Sequence, residues 1–466
     1  MYGIVVLAVY AAIMIGATLL FSKKATNGEN FHVADRNLGT AISAFSIAAT
    51  WIWAPSLFTS AEKAYGSGVP GFFWFLVPNA LCLLFFIPFA KRMKKQFPKG
   101  ITLSGYMNQT YSSEKVKKVY MFQLGSLSVL STSVQLLAGS KILSMLTGLP
   151  FWLLTIILAV VAFSYSQFSG IKASVITDVV QYVLIIAGCL IIAPWSLAKF
   201  GGINTLYNGL GSLTGDFTSL FNDNGLKVFL SFGLPTTIGL ISGPFGDQSF
   251  WQRVFSIREK SIGKSFSIGA VLFALVPLSM GAVGFIAAGS HFVANDSSMV
   301  NFEFIKANFP SWVMIPFLFM IMSGLMSTVD SNLCSFASLT TDRKKQETDS
   351  ENIKTSKIAM ILLLGAGIAI ANIPGLTVTH LFMFYGTVRA STLFTTILTL
   401  KGKKLSADGV FYGVIASLAI GVPVYAVGAV FNIAIIKTVG SLLAALLSGT
   451  VALIITKRKE VVCNAQ

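Results

Sequence analysis

The sequence predicts an all-α polytopic membrane protein of about thirteen transmembrane helices, built as an inverted 5+5 repeat with one extra helix before and two after. Three observations predict it. The 466-residue chain is 54% hydrophobic and only 11% charged, whereas soluble domains carry about 25% charged residues. Apolar stretches near the roughly 20 residues that a spanning helix needs begin near Tyr2, Thr40, Pro70, Tyr120, Phe151, Ser174, Leu226, Ser265, Ser311, Ile358, Val378, Gly409 and Asn432. The second and seventh of these are interrupted by proline and glycine.

The first stretch, 2–21, lacks a basic leader and is as long as a true span, so it reads as a retained helix rather than a signal peptide. The second carries "TWIWAPS" at its middle, and the seventh carries "GLPTTIGLISGPFGDQ". Proline lacks the N–H that the helical ladder uses, and glycine favours non-helical backbone, so both spans are expected to open there. Within a bilayer, unwound backbone is tolerated only where it faces protein or a wet cavity. Spans two to six (40–198) and seven to eleven (226–400) each begin with an interrupted helix. Five is an odd number, so the second group runs through the membrane in the opposite direction to the first, and the last two helices (409–456) follow. The competing account is that Pro55 and Pro244 only kink packed helices.

A net charge of +16 admits a nucleic-acid partner, but its distribution argues against one. Assigning alternate loops to one side collects most of the 34 basic residues there, including "KRMKKQFPK", "RVFSIREKSIGK", "DRKKQETDSENIKTSK", "KGKK" and "KRK". By the positive-inside rule the C-terminus is cytoplasmic, and thirteen crossings put the N-terminus outside. Setting topology is sufficient work for the "KRMKKQFPK" run, which anionic lipid would also attract. Cys82, Cys189 and Cys334 fall inside spans and Cys463 in the cytoplasmic tail, with no disulfide framework or metal spacing. The extramembrane stretches (90–119, 199–225, 291–310 and 341–357) are too short for a soluble domain. Phosphate loops, a Ser/His/Asp set and paired catalytic carboxylates are missing from plausible positions, and His32, His291 and His380 read as interfacial residues. Enzyme chemistry and a resident cofactor are therefore not expected.

Residues at the interruptions carry the chemistry instead. An unwound segment exposes carbonyl oxygens suited to a hard cation such as sodium, and hydroxyls complete such a shell. The ninth span supplies them in "MIMSGLMSTVDSNLCS", where Ser323, Ser327 and Ser331 share one face at i, i+4 and i+8. Serines at this spacing also serve helix packing. Asp178 and Asp330 are the carboxylates nearest the interior; Asp178 is expected in the first turn of the sixth span, where a negative charge suits the helix dipole. Trp51 and Trp53 lie well inside their span rather than in an interfacial belt, so they are candidates to line a solute site, with Gln135 and Gly243 beside them.

The motifs resemble the sodium/solute symporter family over essentially the whole chain. "FHVADRNLG", "SGIKASVITDVVQ", "GDQSFWQRVFSIREKSIGKS" (expected as a cytoplasmic loop) and "SGLMSTVDS" carry the resemblance. "TWIWAPSLFTSAEKAYGSGVPGFFW", "LLAGSKIL", "GIKAS" and "GDQSFWQR" are most similar to the urea-permease branch. The resemblance implies the leucine-transporter-like fold. It also implies a sodium site made of the Ala49 and Ile52 carbonyls and the Ser323 hydroxyl. The position after Ser323 usually carries a second hydroxyl; here it is Gly324, and Ser327 is the neighbour able to stand in. Asp178 matches an aspartate linked to ion passage toward the cytoplasm.

The expected function is uptake of a small polar solute, with urea or a comparably small amide or amine first, driven by sodium as coupling ion. An amino acid or a monocarboxylate comes next; no basic residue is placed at the breaks by sequence alone, which disfavours an anion. A transporter-like membrane sensor would need a signalling domain, and none is expected after Lys457–Gln466. A passive channel would need a filter or a charged ring, and the sequence offers neither.

Overall fold

The computed structural model describes residues 2–22, 25, 27–341 and 348–464. Lys23, Lys24 and the basic 342–347 segment lie outside the described residues, as does the side chain of Cys463. Among the described residues the chain is helical with no strand; one isolated parallel bridge joins Leu38 to Ile257. Among the described residues, eleven helices are long and apolar enough to cross a membrane. Two shorter apolar helices, Thr40–Trp51 and Phe151–Ser166, fall where the second and fifth spans are expected.

The second span is broken as its sequence demands. Helix Thr40–Trp51 stops, Ile52 and Trp53 leave helical geometry (φ −83°, ψ 87° and φ −111°, ψ 178°), and helix resumes at Ala54. Pro55 does not kink a continuous helix; it sits in the first turn of the new one, where its missing N–H has no helical partner to lose. The second and third spans then meet inside Thr59–Gln96 at Gly68, whose φ of +56° suits a residue without a side chain. A Cβ there would also lie 2.6 Å from the Leu210 carbonyl oxygen.

The seventh span opens slightly later than its glycine run. Helix Leu234–Ile241 passes through Ser242 with helical dihedrals into Gly243–Gly246, and the extended residue is Asp247 (φ −112°, ψ 117°). Asp247 caps the next helix, Gln248–Ser256, by accepting from the Ser249 N–H at 3.0 Å. This corrects the loop expected for "GDQSFWQR": every residue of Gln248–Ser256 is buried, and Arg253 is 1% exposed. Its aromatic and aliphatic residues pack inward with the polar ones because the latter find partners inside.

The core is centred on the ninth span. Buried residues make up 78% of its apolar window, against 33% for the first span. The sixth span (Ile171–Lys199) packs against it and starts one turn earlier than expected, because Gly170 at φ +57° turns the chain beneath the Phe31 carbonyl. Asp178 therefore lies two turns inside the helix, beyond the reach of the terminal dipole, and is held by side chains instead. His32 is packed inside the protein. It is 1% exposed, its carbonyl accepts from Gln252 Nε2 at 2.8 Å, and burial pushes its ring down to about 4.

Candidate ion and solute site

At the second-span break the ninth span approaches closely enough that a Cβ on Gly324 would lie 3.2 Å from the Ile52 carbonyl oxygen and 2.8 Å from Leu57 Cδ1. One residue earlier, Ser323 Oγ is buried and has no hydrogen-bond partner among the described residues. Thr328 Oγ1 donates to the Thr50 carbonyl at 3.3 Å. Ile52 and Gly324 thus meet directly, with Ser323 the residue before on the same helix. Ala49 is partly used, since its carbonyl accepts from the Ile52 N–H at 3.2 Å.

Ser327 is turned elsewhere, donating to Asp178 Oδ1 at 2.6 Å. Asp178 Oδ2 accepts from Ser46 Oγ at 2.5 Å and from Arg253 Nη2 at 3.0 Å. Arg253 Nη2 also donates to Ser331 Oγ at 2.8 Å, and Ser331 Oγ reaches Asp330 Oδ1 at 3.4 Å. Ser174 Oγ donates to that same oxygen at 2.7 Å. Two carboxylates and one guanidinium, all buried, therefore tie the second, sixth and ninth spans to the helix after the second break.

The tryptophans divide their roles. Trp51 and Trp53 stack with centroids 5.9 Å apart and planes 21° from parallel. Trp51 Nε1 donates to the Asn79 carbonyl at 3.0 Å, whereas Trp53 Nε1 is buried without a partner among the described residues. Gln135 is spent on the backbone: its Oε1 accepts from the Ala54 N–H at 2.8 Å, and its Nε2 donates to the Ser131 carbonyl at 3.2 Å. It holds the break open instead of being left free to meet a solute. Gly243 faces the ring of Trp51, and a Cβ there would lie 3.1 Å from Arg389 Nη1.

Arg389 is the residue that sequence reasoning missed. It is 2% exposed, and its Cζ lies 5.0 Å from the Trp51 ring, 5.1 Å from Trp53 and 3.9 Å from Tyr385. A cation thus stands at the breaks after all. Nη2 donates to Asp247 Oδ2 at 3.3 Å and to the Tyr385 hydroxyl, which itself donates to Asp247 Oδ2 at 2.7 Å. Nε and Nη1 have no partner among the described residues, nor does the Asn79 side-chain amide. An arginine within an apolar span was the available signal; its partners come from other spans and leave no local trace.

Adding the missing hydroxyl tests the Gly324 position. The Leu57 methyl is a flexible neighbour and the Ile52 oxygen needs only a small adjustment, so Gly324→Ser is expected to raise the apparent sodium affinity of uptake. Gly324→Ala, which adds the same Cβ without the hydroxyl, should not. Equal sodium affinity in all three proteins would remove Gly324 as the weak point.

The sequence model of the Sodium:solute symporter family matches residues 31–417. The chain is 21% identical to Urea-proton symporter DUR3 of Oryza sativa subsp. japonica, covering 85% of this chain and 60% of that protein. It is 23% identical to a Sodium/pantothenate symporter of Haemophilus influenzae, over 90% of this chain and 88% of that one. It spans about half the length of another matched protein, Probable urea active transporter 1 of Schizosaccharomyces pombe, at 46%. In fold it is similar to a Na+-coupled sialic acid symporter, with a TM-score of 0.80, 16% identity and coverage of 97% and 98% of the two chains. A two-break helical architecture and a family match over most of its length agree: this chain belongs to the sodium:solute symporter family.

Proposed function

We propose that the chain is a sodium-coupled importer of urea or a comparably small polar amide, working by alternating access between two five-helix repeats, 40–198 and 226–400. The observation that carries the reading is the concentration of unpaired buried polar groups at the second-span break: Ser323 Oγ on the ion side, and Trp53 Nε1, Asn79 and Arg389 on the solute side. Buried polar atoms without partners are costly; a cation on the Ser323 oxygen lone pairs and a solute acceptor on the free N–H groups relieve that cost. Ile52 and Ser323 are the preferred sodium ligands, with Ala49 contributing; Trp51, Trp53 and Gly243 shape the solute chamber, with Arg389 added to them. Asp178 acts on the cytoplasmic ion path. Each ligand favours one conformer only through its differential affinity, so coupling requires that sodium and solute prefer the same closed arrangement. The protein would sit in the cell membrane with its N-terminus outside and C-terminus cytoplasmic.

A second reading, in which sodium coupling is replaced or lost, is favoured by Gly324 and by the proton named for the rice relative. Uptake of labelled urea into proteoliposomes, under an inward sodium gradient or equal potassium at the same osmolarity, separates the two. Accumulation only in sodium is expected. Equal flux in both salts would favour the second reading, and no flux would direct the search to amino acids and monocarboxylates.

A further inference from the structure

Arg389 in a solute chamber would ordinarily suggest a carboxylate ligand, because guanidinium and carboxylate match as two-pronged partners. Its surroundings here argue the opposite. A guanidinium offers two forks, one from Nε–H with Nη2–H and one from Nη1–H with Nη2–H, and both require Nη2. Nη2 already donates to Asp247 Oδ2 and to the Tyr385 hydroxyl, so a carboxylate fork at either edge would compete for a nitrogen that is engaged. What remains are the one N–H of Nε and the two of Nη1, which lie at separate edges and form no fork with each other. Asp247 is itself buried, at 6% exposure, and balances the charge of Arg389, so a second negative charge brought into the chamber would go uncompensated. Trp53 Nε1 adds another unpaired donor in the same wall, its ring 5.1 Å from the guanidinium carbon.

We propose that Asp247, with Tyr385, sets the solute class: by engaging Arg389 Nη2 and cancelling the arginine charge, they make the chamber accept an uncharged carbonyl compound and reject the carboxylate of the same shape. The solute oxygen accepts from the free arginine donors and the Trp53 indole. This inference rests on the transport reading above and narrows it. Asp247 is a positioning residue, acting through Arg389.

Acetamide and acetate test it, since they share a shape and differ in charge. Binding to the purified full-length protein in sodium is followed by tryptophan fluorescence. Wild type is expected to bind acetamide at least tenfold more tightly than acetate. Asp247→Asn keeps an oxygen able to cap Gln248–Ser256 but removes the balancing charge, and should shift that ratio toward acetate by at least tenfold. Tyr385→Phe removes one partner of Nη2 and leaves the Asp247 Oδ1 cap bond in place; it should shift the ratio in the same direction, which guards against a misfolded Asp247 variant. A loss of structure alone would weaken both ligands together. Equal wild-type binding of the two, or an unchanged ratio in both folded variants, would overturn the inference while leaving the transporter reading in place. If wild type binds neither, the urea-type reading falls with it.

Discussion

Arg253→Met is expected to destabilise the protein by about 3–5 kcal/mol, the range for removing one partner of a buried ion pair. The reason is charge counting in a closed space. Asp178 and Asp330 are both 0% exposed and Arg253 is 1% exposed. Ionised, the two carboxylates already exceed the single guanidinium by one charge; without Arg253 they lose their cation, and Ser46 and Ser331 lose a donor. Asp178→Asn has the opposite effect on the count, leaving one cation and one carboxylate. The unfolding midpoint in detergent should therefore fall much further in Arg253→Met than in Asp178→Asn. Comparable losses in the two would show that packing, not charge, governs the cluster. Asp178→Asn also isolates the transport role: uptake should slow while the midpoint moves little, and normal uptake by this folded variant would exclude Asp178 from the ion path.

The breaks were readable from sequence because their cause is local. Proline and glycine inside an apolar run forfeit helical hydrogen bonds whatever packs against them, and Ile52 and Trp53 leave the helix where "TWIWAPS" says they should. The second break lay one residue beyond its glycine run because Asp247, by capping Gln248–Ser256, decides where helix restarts. Arg253 was misassigned to a loop for a related reason: a basic residue in a polar-looking segment beside a span reads as cytoplasmic unless its buried partners are known. Those partners, Ser46 and Asp178, are 207 and 75 residues away. Ser327 and Gln135 had the right chemistry and position, but competing partners claimed their polar atoms. Helical periodicity identifies which face a hydroxyl occupies; it does not identify which of two neighbouring acceptors receives its proton.

Arg389→Lys should weaken the apparent solute affinity of uptake by about 10- to 100-fold, the equivalent of losing a hydrogen bond from a charged donor. Lysine keeps the positive charge opposite Asp247, so the buried carboxylate is not abandoned and folding should survive. What it lacks is the planar group that stands beside Trp51, Trp53 and Tyr385, along with the fixed Nε and Nη1 donors. A flexible ammonium reaching toward Asp247 would withdraw from the solute and leave the Trp53 indole as the remaining donor in that wall. The sodium dependence should be preserved, because Gly324 meets the Ile52 carbonyl at the break without Arg389, and the neighbouring Ser323 hydroxyl is not one of its partners. Kinetics in proteoliposomes separate the two effects. A raised KM for solute at unchanged sodium affinity places Arg389 on the solute side of the chamber. An unchanged KM would mean that its unpaired donors face no solute, and that the guanidinium serves only to brace the second break through Asp247.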